Sequence, residues 1–254
     1  MTLSQSVMLG IVQGTTEFLP ISSSGHLVLI QGLFGMKEGE LAFDIFLHLG
    51  TLISILIYFR RDILDIIVKD RRLALYVAAA SVPTFMIGMM FKDAAEELFA
   101  RPHIVGYMLL ATGLWLLAAA LYSRFARSGD RKKLGFVNSL IMGAAQGIAV
   151  IPGISRSGAT IGAGILSGID KEKAVRFSFL LAIPAIAGAS LLKCRDIGAG
   201  LSSGDALSFT AGAIVAMITG LASISVLLKM VKTDKLYIFG IYCILAASFV
   251  IVYM

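Results

Sequence analysis

The chain is written as long apolar runs separated by short polar connections. Unbroken runs long enough to cross a bilayer, which takes about 20 helical residues, fall near 43–59, 73–91, 104–122, 176–192, 208–228 and 236–254. They predict six transmembrane helices. Two further apolar regions, 3–35 and 136–168, are each broken near the middle by a proline and a cluster of Ser and Gly. Each piece is then short of a full crossing. Irregular backbone at membrane depth survives only where protein or a wet cavity covers its unpaired amides and carbonyls. Each broken region is therefore predicted to be a re-entrant helical hairpin, the alternative being one kinked helix. The fold class expected is all-α, a polytopic single membrane domain over 1–254.

Composition narrows the class. With 57% hydrophobic and 15% charged residues and a mean hydropathy of +0.88, the chain is too apolar for a soluble domain, and its apolar runs are spread too widely for a single anchor or signal segment. A net charge of +6 does not imply a nucleic-acid partner, because the basic residues fall in clusters between apolar runs. If the loop 60–72 is cytoplasmic, Arg60, Arg61, Lys69, Arg71 and Arg72 lie inside, and Arg124, Arg127, Arg131, Lys132 and Lys133 follow on that side. Lys171, Lys173, Arg176, Lys229, Lys232 and Lys235 join them, leaving Lys37, Lys92, Arg101, Lys193 and Arg195 outside. That is a positive-inside distribution, and it requires both broken regions to return to the side they left. Both termini are then expected outside. Cys194 and Cys243 have no metal or redox spacing and read as packing residues.

The two halves of the chain match. Gly10, Gln13, Gly14, Ser24 and Gly25 correspond to Gly143, Gln146, Gly147, Ser157 and Gly158 at a constant offset of 133 residues, and Pro20 and Pro152 agree to within one. Charge places the start of the second half on the opposite side from the start of the first. The expected architecture is an inverted-topology repeat, approximately 1–125 and 134–254, with a site near the midplane where the broken segments meet.

Arg156 is the basic residue that no loop accommodates. Burying an Arg in hydrocarbon costs at least ~2.5–3.5 kcal/mol on insertion scales, so it needs a partner or a wet cavity. Glu17 is the acid most deeply set in apolar sequence, and a structural ion pair between the two is one reading. Pro followed by Ser ahead of a renewed apolar run is a helix-start pattern, with Ser22 or Ser23 and Ser155 as caps. Helix starts also offer free amides and a positive dipole end to a phosphate. Two of them with the Arg156 fork suit a diphosphate. Gln13 and Glu17, Ser22 and His26, and Arg156 and Thr160 are spaced four apart and share helix faces, and Ser23 is three before His26. His26 is thus a candidate acid or base, with His48 and Asp44 behind it and His103 outside the constellation.

The run Gln13-Gly-Thr-Thr-Glu17-Phe-Leu-Pro20-Ile-Ser22-Ser23-Ser24-Gly25-His26 and the run Pro152-Gly153-Ile-Ser155-Arg156-Ser157-Gly158-Ala-Thr160 resemble the two signatures of the undecaprenyl pyrophosphate phosphatases associated with bacitracin resistance. The likeness extends over essentially the whole chain, including 43–51 and 177–184. It implies a multi-pass enzyme of the plasma (inner) membrane, with its site open to the outer face. It would remove the terminal phosphate of a polyprenyl diphosphate with the help of a divalent cation, Mg²⁺ or Ca²⁺, and recycle a lipid carrier for cell-wall synthesis. By position, Glu17 would hold the cation or activate the attacking group, Arg156 would clamp the diphosphate, Ser23 would be nucleophile or positioning hydroxyl, and His26 acid or base. Gln13, Ser22, Ser24, Gly153, Ser155, Ser157, Gly158 and Thr160 would line the substrate. Gln13 stands where the signature also allows Glu and cannot ionise, which shifts weight onto Glu17. Expected partners are the lipid substrate and membrane lipids, with a homodimer left open. The rival reading is an inverted-repeat transporter or lipid flippase binding an anionic cargo at the same place. A purely structural subunit leaves Glu17 and Arg156 without a purpose.

Overall fold

The computed structural model describes residues 1–34, 41–99, 101–126, 133–194 and 205–253. Among these the secondary structure is helical: α1 (Leu3–Phe18), α2 (Ser23–Leu33), α3 (Leu41–Tyr58), α4 (Arg60–Val68), α5 (Arg71–Met90), α6 (Lys92–Phe99), α7 (Pro102–Phe125), α8 (Phe136–Ile148), α9 (Arg156–Leu166), α10 (Lys171–Cys194), α11 (Asp205–Lys232) and α12 (Tyr237–Tyr253). Both interrupted apolar regions resolve into two helices each, α1 with α2 and α8 with α9. The α1 break follows from local chemistry: Leu19 precedes Pro20, whose ring disfavours helical backbone in the residue before it, and Leu19 is extended at φ −66°, ψ 138°.

Four helices, α5, α7, α10 and α11, are long and apolar enough to cross a membrane, and α3 with α4 makes a fifth candidate bent by 69°. This is a polytopic membrane protein. The run expected to span at 236–254 is the 17-residue α12, about 25 Å long at 1.5 Å per residue and thus shorter than those four. The segment 60–72, read as a loop, contains α4, which has no buried residue but rests Ile63 and Ile66 on the core.

Three of the basic connections, 60–72, 168–176 and 229–235, meet one another. Arg176 pairs with Asp62 at 2.9 Å, Lys232 with Glu172 at 3.8 Å, and Lys171 with Asp234. Lys37, Arg127, Arg131, Lys132 and Arg195, together with the side chains of Lys193 and Cys194, lie outside the described residues. Cys243 is a buried free thiol.

Between lipid-embedded helices hydrophobic driving force is weak, so close packing at small residues and interhelical hydrogen bonds carry the association. α1 lies along α11 and α8 along α5, and both contacts use the matched glycines. A Cβ on Gly10 would meet the Gly212 carbonyl at 2.6 Å, and one on Gly14 would run into the Ala216 carbonyl and Thr219 Oγ1. In the second contact a Cβ on Gly143 would run into the Ala80 carbonyl, and one on Gly147 would meet the Thr84 carbonyl at 3.0 Å. Thr219 donates to the Gly10 carbonyl at 3.4 Å and Thr84 to the Gly143 carbonyl at 2.8 Å. Beneath the α1 break sits an aromatic cluster: Phe18 packs edge-on against Phe179 at 5.6 Å, and Phe59 lies 5.5 Å from Phe179.

Candidate active site

Glu17 projects from the last turn of α1, next to the break. Beyond the break Ser22 caps α2, its Oγ accepting from the Gly25 amide at 3.3 Å. Ser155 caps α9 the same way, from the Gly158 amide at 3.1 Å. Each cap hydroxyl also pairs with the serine two residues on, Ser24 at 3.4 Å and Ser157 at 3.2 Å. The first helical residues are then Ser23 and Arg156, and both reach the same carboxylate. Ser23 Oγ donates to Glu17 Oε2 and the Arg156 guanidinium to Glu17 Oε1. Gln13 Nε2 adds a third bond, to Oε2, at 3.1 Å.

The ion pair is buried on the acid side and accessible on the basic side: the Glu17 side chain is 5% exposed and that of Arg156 20%. Removing one partner of a buried pair costs about 3–5 kcal/mol, because it strands the other charge. Mutual pairing is what allows both groups to sit among these helices. The leading amides of α2 and α9, those of Ser23, Ser24, Arg156 and Ser157, have no intrahelical acceptor and add positive potential beside the guanidinium.

Not every expected residue faces this point. Thr160 Oγ1 bonds the Arg156 carbonyl at 2.9 Å and the Ser178 hydroxyl, bracing α9 against α10. Ser157 also donates to the Leu19 carbonyl at 3.3 Å, joining the two breaks. Gly153 has φ +92°, and a Cβ there would stand 2.6 Å from the Val105 carbonyl. His26 is turned away from Ser23: its Nδ1 lies 2.8 Å from the Ser22 carbonyl and its Nε2 2.7 Å from the Tyr242 hydroxyl. His48 Nδ1 lies 2.7 Å from the Asp44 carbonyl oxygen.

Three contributors escaped the sequence reading. Thr112 on α7 grips the second break, donating to the Gly153 carbonyl at 3.1 Å and accepting from the Ser155 amide at 3.1 Å. Ser178 braces Thr160, and Tyr242 holds His26. Each is a lone polar residue in an apolar run, and that was the one signal available.

The oxygen atoms at this point partly fit a divalent cation. Gln13 Oε1 is buried with no hydrogen-bond partner, and beside the Glu17 carboxylate it offers the hard oxygen donors that Mg²⁺ or Ca²⁺ prefers. Among the described residues no group of three His, Cys, Asp or Glu could hold a metal. A cation here would take its remaining ligands from the substrate. A cavity of about 430 Å³ lined by Tyr58, Phe59, Asp62, Glu172, Arg176 and Lys229, among others, lies where these basic connections meet. It contains none of the motif residues.

Fold and cluster together define a polytopic membrane protein in which two capped helix starts, one arginine and one carboxylate meet. The chain belongs to the family of the bacitracin resistance protein BacA, whose family model matches residues 6–249. It is 43% identical over 256 residues to an undecaprenyl-diphosphatase of Halothermothrix orenii, covering 99% of this chain and 98% of the relative. A protein of the same description from Carboxydothermus hydrogenoformans is 44% identical over 244 residues, covering 94% and 92%. Another from Methanosphaera stadtmanae is 41% identical over 263 residues, covering 94% and 93%.

Proposed function

We propose that the protein is an undecaprenyl-diphosphatase, a membrane phosphatase that hydrolyses undecaprenyl diphosphate to the monophosphate and inorganic phosphate. The observation that carries this reading is the meeting of Ser23 and Arg156, from two breaks far apart in sequence, on Glu17. Arg156 alone would suit a transporter's anion site; a seryl hydroxyl bonded to a carboxylate at the same spot is the arrangement of a nucleophile beside its base.

Phosphoryl transfer depends mainly on positioning and on neutralising the phosphoryl oxygens. Arg156 binds those oxygens with its fork, and the leading amides of α2 and α9 add donors that need no reorganisation. Ser23 Oγ attacks the terminal phosphorus while Glu17 Oε2 takes the hydroxyl proton. The bond from that phosphorus to the bridging oxygen breaks, and polyprenyl monophosphate leaves. Water then cleaves the phosphoserine, releasing inorganic phosphate and restoring the hydroxyl. Gln13 orients the carboxylate. A divalent cation, held by Glu17 and Gln13 with substrate oxygens, would supply charge neutralisation. All of these groups come from one chain.

The proposal places the protein in the plasma membrane with α12 as the sixth span, α1–α2 and α8–α9 as re-entrant hairpins in an inverted repeat, and both termini and the site's opening on the outer face. Support comes from the ion pairs that join three of the basic connections, and from the parallel use of Gly10, Gly14, Gly143 and Gly147 in the α1–α11 and α8–α5 contacts. The test is phosphate release from a polyprenyl diphosphate by purified protein in detergent with Mg²⁺ or Ca²⁺. Release that vanishes in Arg156→Ala and Glu17→Ala supports the enzyme. No release by the wild type, with lipid movement in liposomes, would replace it by the flippase reading.

A further inference from the structure

Tyr242 lies on α12, some two hundred residues from the first signature, yet its hydroxyl is 2.7 Å from His26 Nε2. The two rings stack at 5.7 Å with 13° between their planes. The other ring nitrogen is already committed. Nδ1 sits 2.8 Å from the Ser22 carbonyl oxygen, which can only accept, so Nδ1 carries a proton. In the neutral ring Nε2 is then the acceptor, and the phenol must donate to it.

We propose that Tyr242 is a positioning residue of the catalytic site. With the Nδ1–H tautomer already set by the Ser22 carbonyl, its hydroxyl holds the ring by Nε2 and keeps that lone pair directed at α12 instead of Ser23. The inference rests on the phosphatase reading given above. It leaves Glu17, already bonded to Ser23, as the one base on the nucleophile and keeps His26 off the seryl hydroxyl. A donor bonded to one imidazole nitrogen fixes the ring's orientation and tunes its basicity.

The framework around Tyr242 suits this role. Two residues earlier, Gly240 lets α12 close on α7, where an added Cβ would stand 3.0 Å from the Gly113 carbonyl. The adjacent Cys243 is buried with its Sγ 3.6 Å from the Pro20 carbonyl, so α12 touches the α1–α2 break at two successive positions. The ordinary explanation of a half-exposed tyrosine in a membrane protein is an interfacial anchor. Tyr107, 54% exposed, is an exposed tyrosine of that kind and provides the control.

Tyr242→Phe keeps the ring and its stacking and removes only the hydroxyl. Its kcat is expected to fall about tenfold, the lower end of the range for loss of a second-sphere partner, with KM nearly unchanged and Tyr107→Phe silent. In a His26→Gln background the same change should have no further effect. Ring ¹⁵N chemical shifts of histidine-labelled protein provide an arm independent of hydrolysis, and with three histidines in the chain assignment by single substitution is practical. Wild type should show His26 with Nδ1 protonated and Nε2 as a hydrogen-bonded acceptor, and Tyr242→Phe the same tautomer with the Nε2 resonance moved to that of an unbonded lone pair. Unchanged His26 shifts in Tyr242→Phe, or equal loss of rate with and without His26, would overturn the assignment. Absence of phosphate release by the wild type would defeat the phosphatase reading while the nitrogen shifts still decided whether Tyr242 holds His26.

Discussion

At the break between α1 and α2 the cap is Ser22; at the break between α8 and α9 it is Ser155, and the two stand in matched positions of the sequence. Each cap accepts from an amide three residues on and pairs with a serine two residues on. The next residue differs, Ser23 in one and Arg156 in the other, and only the first break is preceded by a carboxylate, since Val150 occupies the place matching Glu17. The surroundings differ too. α9 is buried from Ser157 to Ile165 apart from Ala159, with Thr160 braced on Ser178, while much of α2 is half-exposed. Matched breaks therefore carry a hydroxyl–carboxylate pair on one side and a cation on the other. On the proposed function, the oxyanion site is made by facing a chemical half with a rigid electrostatic half.

The sharpest way to break this division is Arg156→Ala, which should lower phosphate release about 1,000-fold, at the upper end for loss of one transition-state donor. Arg156→Lys, which keeps the charge and loses the fork, should recover only part of it. On the other side, Ser23→Ala should cost about 100-fold, within the range for loss of a group engaged in proton transfer. Near-normal turnover in that variant would mean that water attacks directly with Glu17 as its base. The scaffold itself is tested by Gly14→Ala and Gly143→Ala. Each puts a methyl against a backbone carbonyl of the neighbouring helix and should destabilise by about 1–3 kcal/mol, read as a fall in the midpoint of unfolding in detergent. Gly32→Ala, with nothing within 4 Å of the added Cβ, should leave that midpoint unchanged or slightly higher. On turnover, the smallest loss expected is from Thr112→Val. It leaves the Ser155 amide and Gly153 carbonyl without this partner, at roughly 1–3 kcal/mol for an unsatisfied buried group, and should reduce turnover severalfold while Ser23 chemistry stays intact.

The sequence contained the breaks and their caps because those are local: Pro20 and Pro152, each ahead of a serine cluster, announce them. It also paired Glu17 with Arg156, because charges in apolar sequence must find each other and few were unassigned. It did not contain the true partner of His26. Ser22 at the fourth position before it suggested a hydroxyl, whereas the bond goes to the Ser22 carbonyl, and the other nitrogen bonds a residue from α12. Nothing local to residue 26 encodes a contact with residue 242. Thr112 and Ser178 were missed likewise, since a single hydroxyl in a membrane helix normally bonds back into its own helix, as Thr16 does to the Val12 carbonyl at 2.7 Å. The bend between α3 and α4 has no proline to mark it; Phe59 stands there at φ −96°, ψ 20°.

In the proposed reaction, the pairing of Glu17 with Arg156 makes substrate binding an exchange of anions. The guanidinium is never without a negative partner: a diphosphate approaching from the accessible side must compete with a resident carboxylate, and Glu17 is released by the same movement that loads the clamp. Once the terminal phosphate is gone, the product carries less charge with which to hold Arg156, and the carboxylate can take it back. In that scheme the same competition acts at both ends of the cycle.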